Sequence, residues 1–439
     1  MRLGSTRPIV VDVFAGAGGL SLGFEQAGFD VVAAIEYDPT HAMVHKYNFP
    51  DTEILCRDVR GITAADVYAA ASRGASRMRA VRTTLDTIDV LIGGPSCQGF
   101  SSMGRRQDDD ERNDLLMHFS RLVCEVRPRA FVLENVPGLL EPRFADFRNS
   151  VFKKLRNAGY HLTGTDKWVD ASDFGVPQVR KRVLVFGSLE SEIPELLPTP
   201  TVRKMTVRDA FDGLPEIEAY DDLLKTDSAA LNAEDVRRRI GTTSAYAANL
   251  ADISAVENLG RPRLWDHELL TNSLRTVHTP EIIKRFASTQ PGSVEAISRF
   301  YRLSLDSPSR TLRAGTGRER GAHTSPRPIH PTLPRVITVR EAARLHGYPD
   351  WFRMSGTNWH GHRQIGNSVP PPLAKAAGDL VIRSLGHRPR RLKAKRPLGD
   401  SLWLYVRPDE AANLVDARTA ELPPMRIRKE SKKKMAAQH

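Results

Sequence analysis

Short β-rich runs alternate with helical stretches through the first 187 residues, and this alternation limits the fold more than any other feature. Apolar runs typical of buried strands are followed by segments with helical periodicity. The predicted strands are residues 8–14, 31–35, 88–92, 130–133 and 182–187, and the predicted helices are residues 20–27, 40–47, 114–126 and 144–158. Right-handed strand–helix–strand units build a mostly parallel sheet that is covered on both faces. The sequence therefore predicts an α/β fold.

The pattern changes after Gly187. Residues 190 to about 330 are rich in proline, serine, threonine and arginine and have weak periodicity, which predicts a second, smaller and more irregular domain. Helical signal returns at residues 338–345 and, after three consecutive prolines, at 373–385. The predicted units are residues 1–189, 190–335, a segment that returns to the first domain (336–387) and a basic C-terminal extension (388–439).

Charge is distributed unevenly along the 439 residues. The formal net charge is +12, and residues 388–439 carry 14 Lys and Arg against 6 Asp and Glu. Such basic runs can bind a polyanion, because binding releases the counterions that surround it. The alternative is that the runs only keep the protein soluble. The first residues lack an apolar stretch of the signal-peptide kind, and no run is long enough to cross a bilayer. We therefore expect no membrane partner and a reducing compartment.

A lone cysteine follows the predicted strand at residues 88–92. Ligands bind at the carboxyl ends of strands in open α/β sheets, so Cys97 is expected to face a cleft. The other cysteines, Cys56 and Cys124, form no CxxC pair and no Cys/His cluster at zinc spacing, which disfavours a metal site or a disulfide framework. Cys97 is thus a candidate nucleophile, with a small buried residue as the alternative.

A glycine-rich loop, DVFAGAGG at residues 12–19, follows the first predicted strand. Glycines allow positive φ and a close approach of backbone to ligand. Glu36 lies 24 positions after Asp12 at the end of the next strand, which suits hydrogen bonding to ribose hydroxyls. The dinucleotide fingerprint needs glycine where Ser21 stands, so a nucleoside without pyrophosphate is favoured. Asp58 could contact an adenine amine. The alternative interpretation of the glycine-rich loop is a tight strand-to-helix turn with no ligand.

Two further sets of polar residues follow. Glu134 ends a predicted strand 37 residues after Cys97; if the two strands are neighbours, thiol and carboxylate face one cleft, where the carboxyl could share a proton with a base. A helix N-cap is the alternative for Glu134. Gln178, Arg180 and Arg182 alternate along an extended segment and so share a face. Arginines in a row suit a phosphate or a polarised carbonyl, with a solvated charged strand as the alternative.

In sequence order, these motifs resemble those of the DNA cytosine-5 methyltransferases of bacterial type. Six segments carry the resemblance over about residues 8–386: DVFAGAGG (12–19), GPSCQ (94–98), ENV (134–136), QVRKR (178–182), REAARLHGYPD (340–350) and QIGNSVPP (364–371). The resemblance implies a Rossmann-like, S-adenosylmethionine-dependent methyltransferase fold with a smaller, irregular target-recognition domain. Two features depart from the family pattern: Ser96 separates Pro95 from Cys97, and His346 stands where glutamine is common, for which we expect a packing role.

The resemblance also assigns roles to residues. Cys97 would attack carbon 6 of a cytosine flipped out of the duplex, Glu134 would hold its ring nitrogen and amine, and Arg180 would lower the pKa of the thiol. The catalytic residues so predicted are Cys97, Gln98, Glu134, Arg180 and Arg182. The predicted S-adenosylmethionine site is made of Asp12, Phe14, Gly16, Gly18, Gly19, Glu36, Tyr37, Asp58, Pro95, Asn367 and Val369. No metal is expected.

The implied partner is double-stranded DNA. The resemblance implies either a restriction-modification system, which would include a separate restriction endonuclease, or a solitary modification system. Residues 310–318 are either a DNA-facing stretch or a surface loop. The expected location is the bacterial cytoplasm, on the nucleoid. Two alternatives stay open: an RNA cytosine-5 methyltransferase of the same superfamily, and a catalytically silent DNA-binding relative.

Overall fold

The computed structural model describes residues 7–78, 85–95, 114–197, 203–253, 258–315 and 327–415. A central sheet of eight strands organises the first half of the chain. In chain order the strands are β1 (Ile9–Val13), β2 (Asp30–Glu36), β3 (Glu53–Cys56), β4 (Val90–Gly93), β5 (Ala130–Asn135), β6 (His161–Thr163), β7 (Val169–Asp170) and β8 (Lys181–Ser188). Their order across the sheet is β3-β2-β1-β4-β5-β8-β6, with β7 paired to β8.

Strands β1 to β5 are mutually parallel, and β8 runs antiparallel to β5, β6 and β7. The predicted mostly parallel sheet is therefore confirmed. Val13 pairs with Gly93, and Gly93 pairs with Leu133, so β1, β4 and β5 end at the same level. The carboxyl ends of five strands consequently meet along one edge, which we call the carboxyl edge.

Helices cover both faces of the sheet. They are α1 (Gly19–Ala27), α2 (Pro39–Asn48), α3 (Ala64–Arg77), α4 (Asp114–Val126) and α5 (Ala145–Asn157). Alternate residues of β1 enter different cores: Val11 packs with α3, α4 and α5, whereas Val10 packs with α1. Burial of both faces explains the continuous apolar run of β1, as expected for a parallel strand.

The following segment is built from short elements. They are α6 (Val207–Phe211), β9 (Ala229–Ala230), α7 (Ala233–Ile240), α8 (Ala245–Leu250), β10 (Arg263–Leu264), β11 (Leu269–Leu270) and α9 (Pro280–Ser288). A pair of two-residue strands, β9 and β11, is antiparallel. The segment has the irregular character expected from its composition, while its predicted boundaries at 190 and 335 remain a prediction.

Three further helices follow: α10 (Val339–His346), α11 (Asn358–Asn367) and α12 (Pro371–Ser384). Helix α12 lies directly on α1, because glycines allow the two backbones to approach. A Cβ atom added to Gly23 would lie 2.4 Å from the Cβ of Ala374, and one added to Gly378 would lie 2.7 Å from the Cβ of Ala27. Residues more than 340 positions apart in the chain thereby complete one layer over the sheet.

Part of the C-terminal extension packs against the rest of the molecule. Strand β12 (Arg396–Pro397) pairs with β10, and α13 (Pro408–Leu414) contacts α2. Leu404 is buried, and the Tyr405 hydroxyl bonds to Asp227 and, at 2.6 Å, to Arg353. The apolar run at residues 402–406 therefore anchors the extension. Within the described ranges, no helix is long and apolar enough to cross a membrane.

Candidate active site

The glycine-rich loop leaves the carboxyl end of β1 in a strained conformation. Phe14 has φ +66°, which is costly for a residue with a side chain and is typical of functional sites. Gly18 has φ +105°, and a Cβ atom there would lie 2.5 Å from the Phe49 ring. A Cβ atom on Gly16 would meet nothing within 4 Å. The loop is therefore packed at Gly18 and open at Gly16, where a ligand has room.

Asp12 is fully buried beneath this loop. Its Oδ2 accepts hydrogen bonds from the Ser21 hydroxyl at 2.6 Å and from the Ser21 backbone N–H at 3.1 Å. The Ser21 hydroxyl also lies 3.0 Å from Nε2 of His45. Burial raises the pKa of Asp12 to about 7 and lowers the pKa of His45 to about 3. Oδ1 of Asp12 has no hydrogen-bond partner among the described residues, so it is an acceptor available to a ligand.

Sequence reasoning missed the contribution of Ser21 and His45. Ser21 counted only as a departure from the dinucleotide fingerprint, whereas the structure shows it as a partner of the Asp12 carboxylate. The absence of glycine at this position was the available signal. Serine at this position provides a hydroxyl donor to the buried Asp12 carboxyl, which glycine could not do.

A second carboxylate closes the loop from the end of β2. Glu36 accepts the Gly16 N–H at 2.7 Å through Oε2 and the Asp38 N–H at 2.8 Å through Oε1. Burial raises the pKa of the Glu36 carboxyl. Tyr37, the next residue, is half-buried, and its carbonyl faces the Cys56 sulfur at 3.9 Å. Glu36 therefore holds the loop and keeps free lone pairs, as a ribose-binding carboxylate requires.

Asp58 provides a third carboxylate, beyond the end of β3. Because Glu36 pairs with Cys56 in the sheet, Asp58 lies only two residues past that level. It accepts the Arg60 N–H at 2.9 Å and forms an ion pair with the Arg60 guanidinium at 3.1 Å. Asp12, Glu36 and Asp58 thus lie at or just beyond the carboxyl ends of three adjacent strands. This acidic row suits a cationic nucleoside better than a phosphorylated one.

The end of β5 brings a buried carboxyl group, that of Glu134, to the same edge, beside the end of β4. A Cβ atom added to Gly94 would lie 2.8 Å from Oε2 of Glu134, so the chain after β4 passes directly beside this carboxyl. Arg182 Nε lies 2.6 Å from Oε1 of Glu134, and only about a tenth of each side chain is exposed. Pro95 is buried next to Gly94. The predicted catalytic residues Cys97 and Gln98 lie outside the described residues.

Arg180 has a different environment from Arg182. Its guanidinium donates to the carbonyl of Leu312 at 2.8 Å, of Gly366 at 2.7 Å and of Ser368 at 2.9 Å. Burial is the main cause that lowers the pKa of Arg180 well below its usual range. Arg180 therefore joins β8 to two distant segments, whereas Arg182 is the arginine that contacts Glu134. The catalytic role expected for Arg180 stays a prediction.

Gln178 and His346 extend this connection. Gln178 Oε1 accepts the Leu312 N–H at 3.0 Å, and its Nε2 lies 3.0 Å from Nδ1 of His346. His346 Nε2 in turn donates to the Ser368 carbonyl at 3.1 Å, and the ring is fully buried. His346 thus has the packing role that we expected.

The tenth motif reaches the glycine loop through its backbone. A Cβ atom on Gly19 would lie 2.4 Å from the Val369 carbonyl and 2.8 Å from the Tyr348 hydroxyl oxygen. Val369 itself is buried, while Asn367, at the end of α11, is exposed. The structure therefore brings the Val369 backbone against the glycine-rich loop, and its role in a cofactor pocket stays a prediction.

Comparison with known proteins agrees with this architecture. The family model described as C-5 cytosine-specific DNA methylase matches residues 9–383. The chain is 45% identical over 408 residues to the Type II methyltransferase M.XorII of Xanthomonas oryzae pv. oryzae, covering 93% of this chain and 92% of the relative. It is 31% identical to the Type II methyltransferase M1.HphI of Haemophilus parahaemolyticus, over 85% and 86% of the two chains.

A solved structure is similar as well. An E. coli prophage protein described as a DNA modification methyltransferase has a TM-score of 0.68 at 32% identity, covering 87% of this chain and 100% of the other. The fold and the row of site residues define an α/β methyltransferase. The chain belongs to the C-5 cytosine-specific DNA methylase family and is a DNA (cytosine-5) methyltransferase. The resemblance identified from the sequence motifs is thereby confirmed.

Proposed function

We propose that this enzyme methylates carbon 5 of a cytosine flipped out of duplex DNA, through a transient adduct with Cys97. The observation that carries the proposal is the contact between Gly94 and Glu134, because it brings the chain leading to Cys97 against a carboxyl group. Two peptide units separate Cys97 from the described Pro95, and they span at most about 7 Å. A thiol and a carboxyl within such a distance can act on one pyrimidine ring.

The two described cysteines are poor candidates for the nucleophile. Burial is the main cause that raises the pKa of Cys56 to about 12, and Glu36 and Asp38 add to the effect. Burial also raises the pKa of Cys124. The thiolate is the reactive form of cysteine. Because their pKa values are raised, both thiols stay protonated and unreactive at neutral pH. This leaves Cys97 as the nucleophile of the proposal.

The residues of the glycine loop fit S-adenosylmethionine, which supplies an electrophilic methyl group on a sulfonium. Glu36 would accept hydrogen bonds from the ribose hydroxyls, and Asp58 would accept one from the adenine amine. The open space at Gly16 and the free Oδ1 of Asp12 would receive the methionine part. Phe14, Pro95 and Val369 would supply the apolar walls, with Tyr37, Gly18, Gly19 and Asn367 around them.

The chain's own residues would act on the base as follows. The Cys97 thiolate bonds to carbon 6, and Glu134 hydrogen-bonds the ring nitrogen and the exocyclic amine, so that charge arriving on the ring is neutralised. Carbon 5 becomes electron-rich and accepts the methyl group. Transfer of the carbon 5 proton to a water molecule would then let the Cys97 thiolate leave carbon 6 and restore the aromatic ring. Arg182 would orient the Glu134 carboxylate, Gln98 would line the pocket, and Arg180 would fix the end of β8.

Flipping the target costs a few kcal/mol, which contacts of the irregular segment with the duplex would offset. We propose that residues 190–335 recognise the target, since they adjoin the carboxyl edge through Leu312. The names of the two Type II relatives support a role in restriction-modification, with a separate endonuclease as partner. The enzyme would then act on the nucleoid, in the bacterial cytoplasm.

Methyl transfer from labelled S-adenosylmethionine to host genomic DNA tests the proposal. Cys97→Ala should abolish transfer and retain DNA binding, while the matched Cys124→Ser variant keeps both. Transfer retained by Cys97→Ala would overturn the proposed nucleophile. Transfer to tRNA and not to duplex DNA would favour the RNA alternative. Failure of the wild-type chain to methylate either acceptor, with normal cofactor binding, would favour a silent relative.

A further inference from the structure

The first part of the C-terminal extension presents a row of exposed basic side chains. Within the described residues, five of them form no ion pair, and we call these five the basic ridge: Arg388, Arg390, Arg391, Lys393 and Lys395. Arg396, the next basic residue, is half-buried and lies 3.6 Å from Asp51. The ridge is therefore a concentration of positive charge that the described part of the protein leaves without a close counter-charge.

The backbone of the ridge is held at both ends. At its start, a Cβ atom added to Gly28 would lie 2.3 Å from Cγ of Pro389, so the Pro389 ring packs directly on the Gly28 backbone. Arg7 Nη1 lies 3.5 Å from the Arg390 carbonyl and 2.6 Å from that of Leu259. At its end, β12 pairs with β10, and the Arg396 N–H donates to the Pro262 carbonyl at 2.8 Å. An anchored backbone loses less conformational entropy on binding than a free tail.

The ridge starts at the opposite edge of the sheet from the active site. Arg7 precedes β1 and Gly28 precedes β2, so their contacts place Pro389 and Arg390 at the amino ends of these strands. Glu36 and Glu134 lie at the carboxyl ends. The five residues of β1 span about 16 Å at a rise of about 3.3 Å per residue. The start of the ridge and the proposed catalytic groups are thus separated by the length of the strands.

We propose that the basic ridge is a second binding site for duplex DNA, used while the target duplex occupies the carboxyl edge. The inference rests on the proposed function, which places the target at that edge. Residues 388–395 can extend over at most about 28 Å, and a duplex carries one negative charge per about 1.7 Å of its axis. Several phosphates therefore lie within reach of the five cations. One enzyme molecule can then hold a second segment of the same genome, independently of base sequence.

A trapped complex separates this second site from the first. The full-length enzyme is coupled covalently to a short duplex containing 5-fluorocytosine at its target, in the presence of S-adenosylmethionine. Binding of a second, fluorescent duplex without a target is then measured by anisotropy across a series of salt concentrations. The ridge variant is Arg388→Gln/Arg390→Gln/Arg391→Gln. The matched control, with the same charge change on a different surface of the protein, is Lys153→Gln/Lys154→Gln/Arg156→Gln on α5.

The wild-type and control complexes should bind the second duplex with a steep salt dependence. The ridge variant should bind it at least tenfold more weakly at low salt, with a salt slope reduced by up to about 2.7, since each lost phosphate contact removes about 0.9. Absence of a second binding event in the wild type, or an equal loss in ridge and control variants, would overturn the second site. Binding to phosphatidylglycerol vesicles without binding to the second duplex would overturn DNA as the partner.

If no covalent complex forms, the proposed nucleophile fails. The ridge is then judged by the salt slopes of the same three proteins on the non-target duplex alone. Equal slopes for the ridge variant and the control would overturn the second site, and a selective decrease in the ridge variant would support it.

Discussion

Arg182 and Glu134 form an ion pair of 2.6 Å at the carboxyl edge, where β5 and β8 run antiparallel. A charge-assisted hydrogen bond of this kind fixes the direction of the carboxylate and contributes about 1.5–3 kcal/mol. The pair connects two motifs that are 48 residues apart in the chain. It explains how a carboxyl at the end of a strand can be oriented before the base arrives.

Replacing Arg182 by Gln should therefore slow methyl transfer by about 10- to 150-fold, the range that corresponds to loss of one such hydrogen bond. The effect should fall on kcat, measured in single-turnover experiments, and Arg182→Lys should recover part of it. Lys181→Gln is the matched control, because Lys181 is the exposed neighbour that lies over the Trp168 ring, 3.7 Å from its centroid. Equal losses in the two variants would show that the Arg182–Glu134 pair is not specifically required.

Glu134→Gln preserves the shape of the side chain but removes its charge and its ability to transfer a proton. Methyl transfer should fall by about 10²- to 10⁴-fold, as for other acid–base groups. Cofactor affinity, measured by calorimetry, should be unchanged. A large loss of cofactor affinity with transfer kept near its original rate would place Glu134 in the cofactor pocket instead.

Glu36→Gln should weaken S-adenosylmethionine binding by at least about tenfold, because a carboxylate accepts stronger hydrogen bonds from hydroxyl groups than an amide does. The Kd is measured by calorimetry. Glu53→Gln, on the surface at the start of β3, is the control and should bind normally. An unchanged Kd in Glu36→Gln would remove Glu36 from the proposed site.

Arg180→Met should destabilise the fold by at least about 2 kcal/mol, because the buried carbonyls of Leu312 and Gly366 lose their donor, while the Ser368 carbonyl keeps the one from His346. Urea unfolding measures this change, and Arg208→Met, which breaks only an exposed ion pair with Asp306, serves as control. A variant of unchanged stability that has lost methyl transfer would instead favour the direct catalytic role expected from the sequence.

Asp12 should make stability depend on pH. Burial raises its pKa to about 7 in the folded protein, from 3.8, so protons bind more tightly to the folded state. This contribution is fully present below about pH 4 and is lost as the pH rises towards 7. The loss amounts to at most about 4 kcal/mol. Asp12→Asn should therefore gain stability relative to wild type between pH 4 and 7, as measured by urea unfolding. A constant difference between the two proteins would contradict the raised pKa.

The sheet and the placement of its site were largely accessible from the sequence. Helix α4 spans the predicted residues 114–126. The sequence left open whether the strands before Cys97 and Glu134 are neighbours, and the pairing of β4 with β5 shows that they are. Apolar runs and periodicity determine these features locally. Helix α3 was missed, although Thr63 and Asp66 form a capping box at its start.

The contacts of Arg180 with three carbonyl groups could not be predicted from the sequence. Its partners are carbonyl groups 132 to 188 positions further along the chain, and every residue has a carbonyl. Neither the spacing of residues in the sequence nor their type predicts such a contact. The buried contacts of Ser21 with Asp12 and His45 depend on how helices α1 and α2 pack on the sheet, and the only sequence signal for them was serine in place of the fingerprint glycine.

Covalent capture on a duplex containing 5-fluorocytosine tests the central claim most directly. The enzyme, cofactor and duplex are incubated, the complex is digested, and the peptide carrying the nucleotide is sequenced by mass spectrometry. The account predicts a methylated adduct on Cys97, absent from Cys97→Ala and present in Cys124→Ser. Methylated DNA produced without any adduct, or an adduct on Cys56 or Cys124, would contradict it.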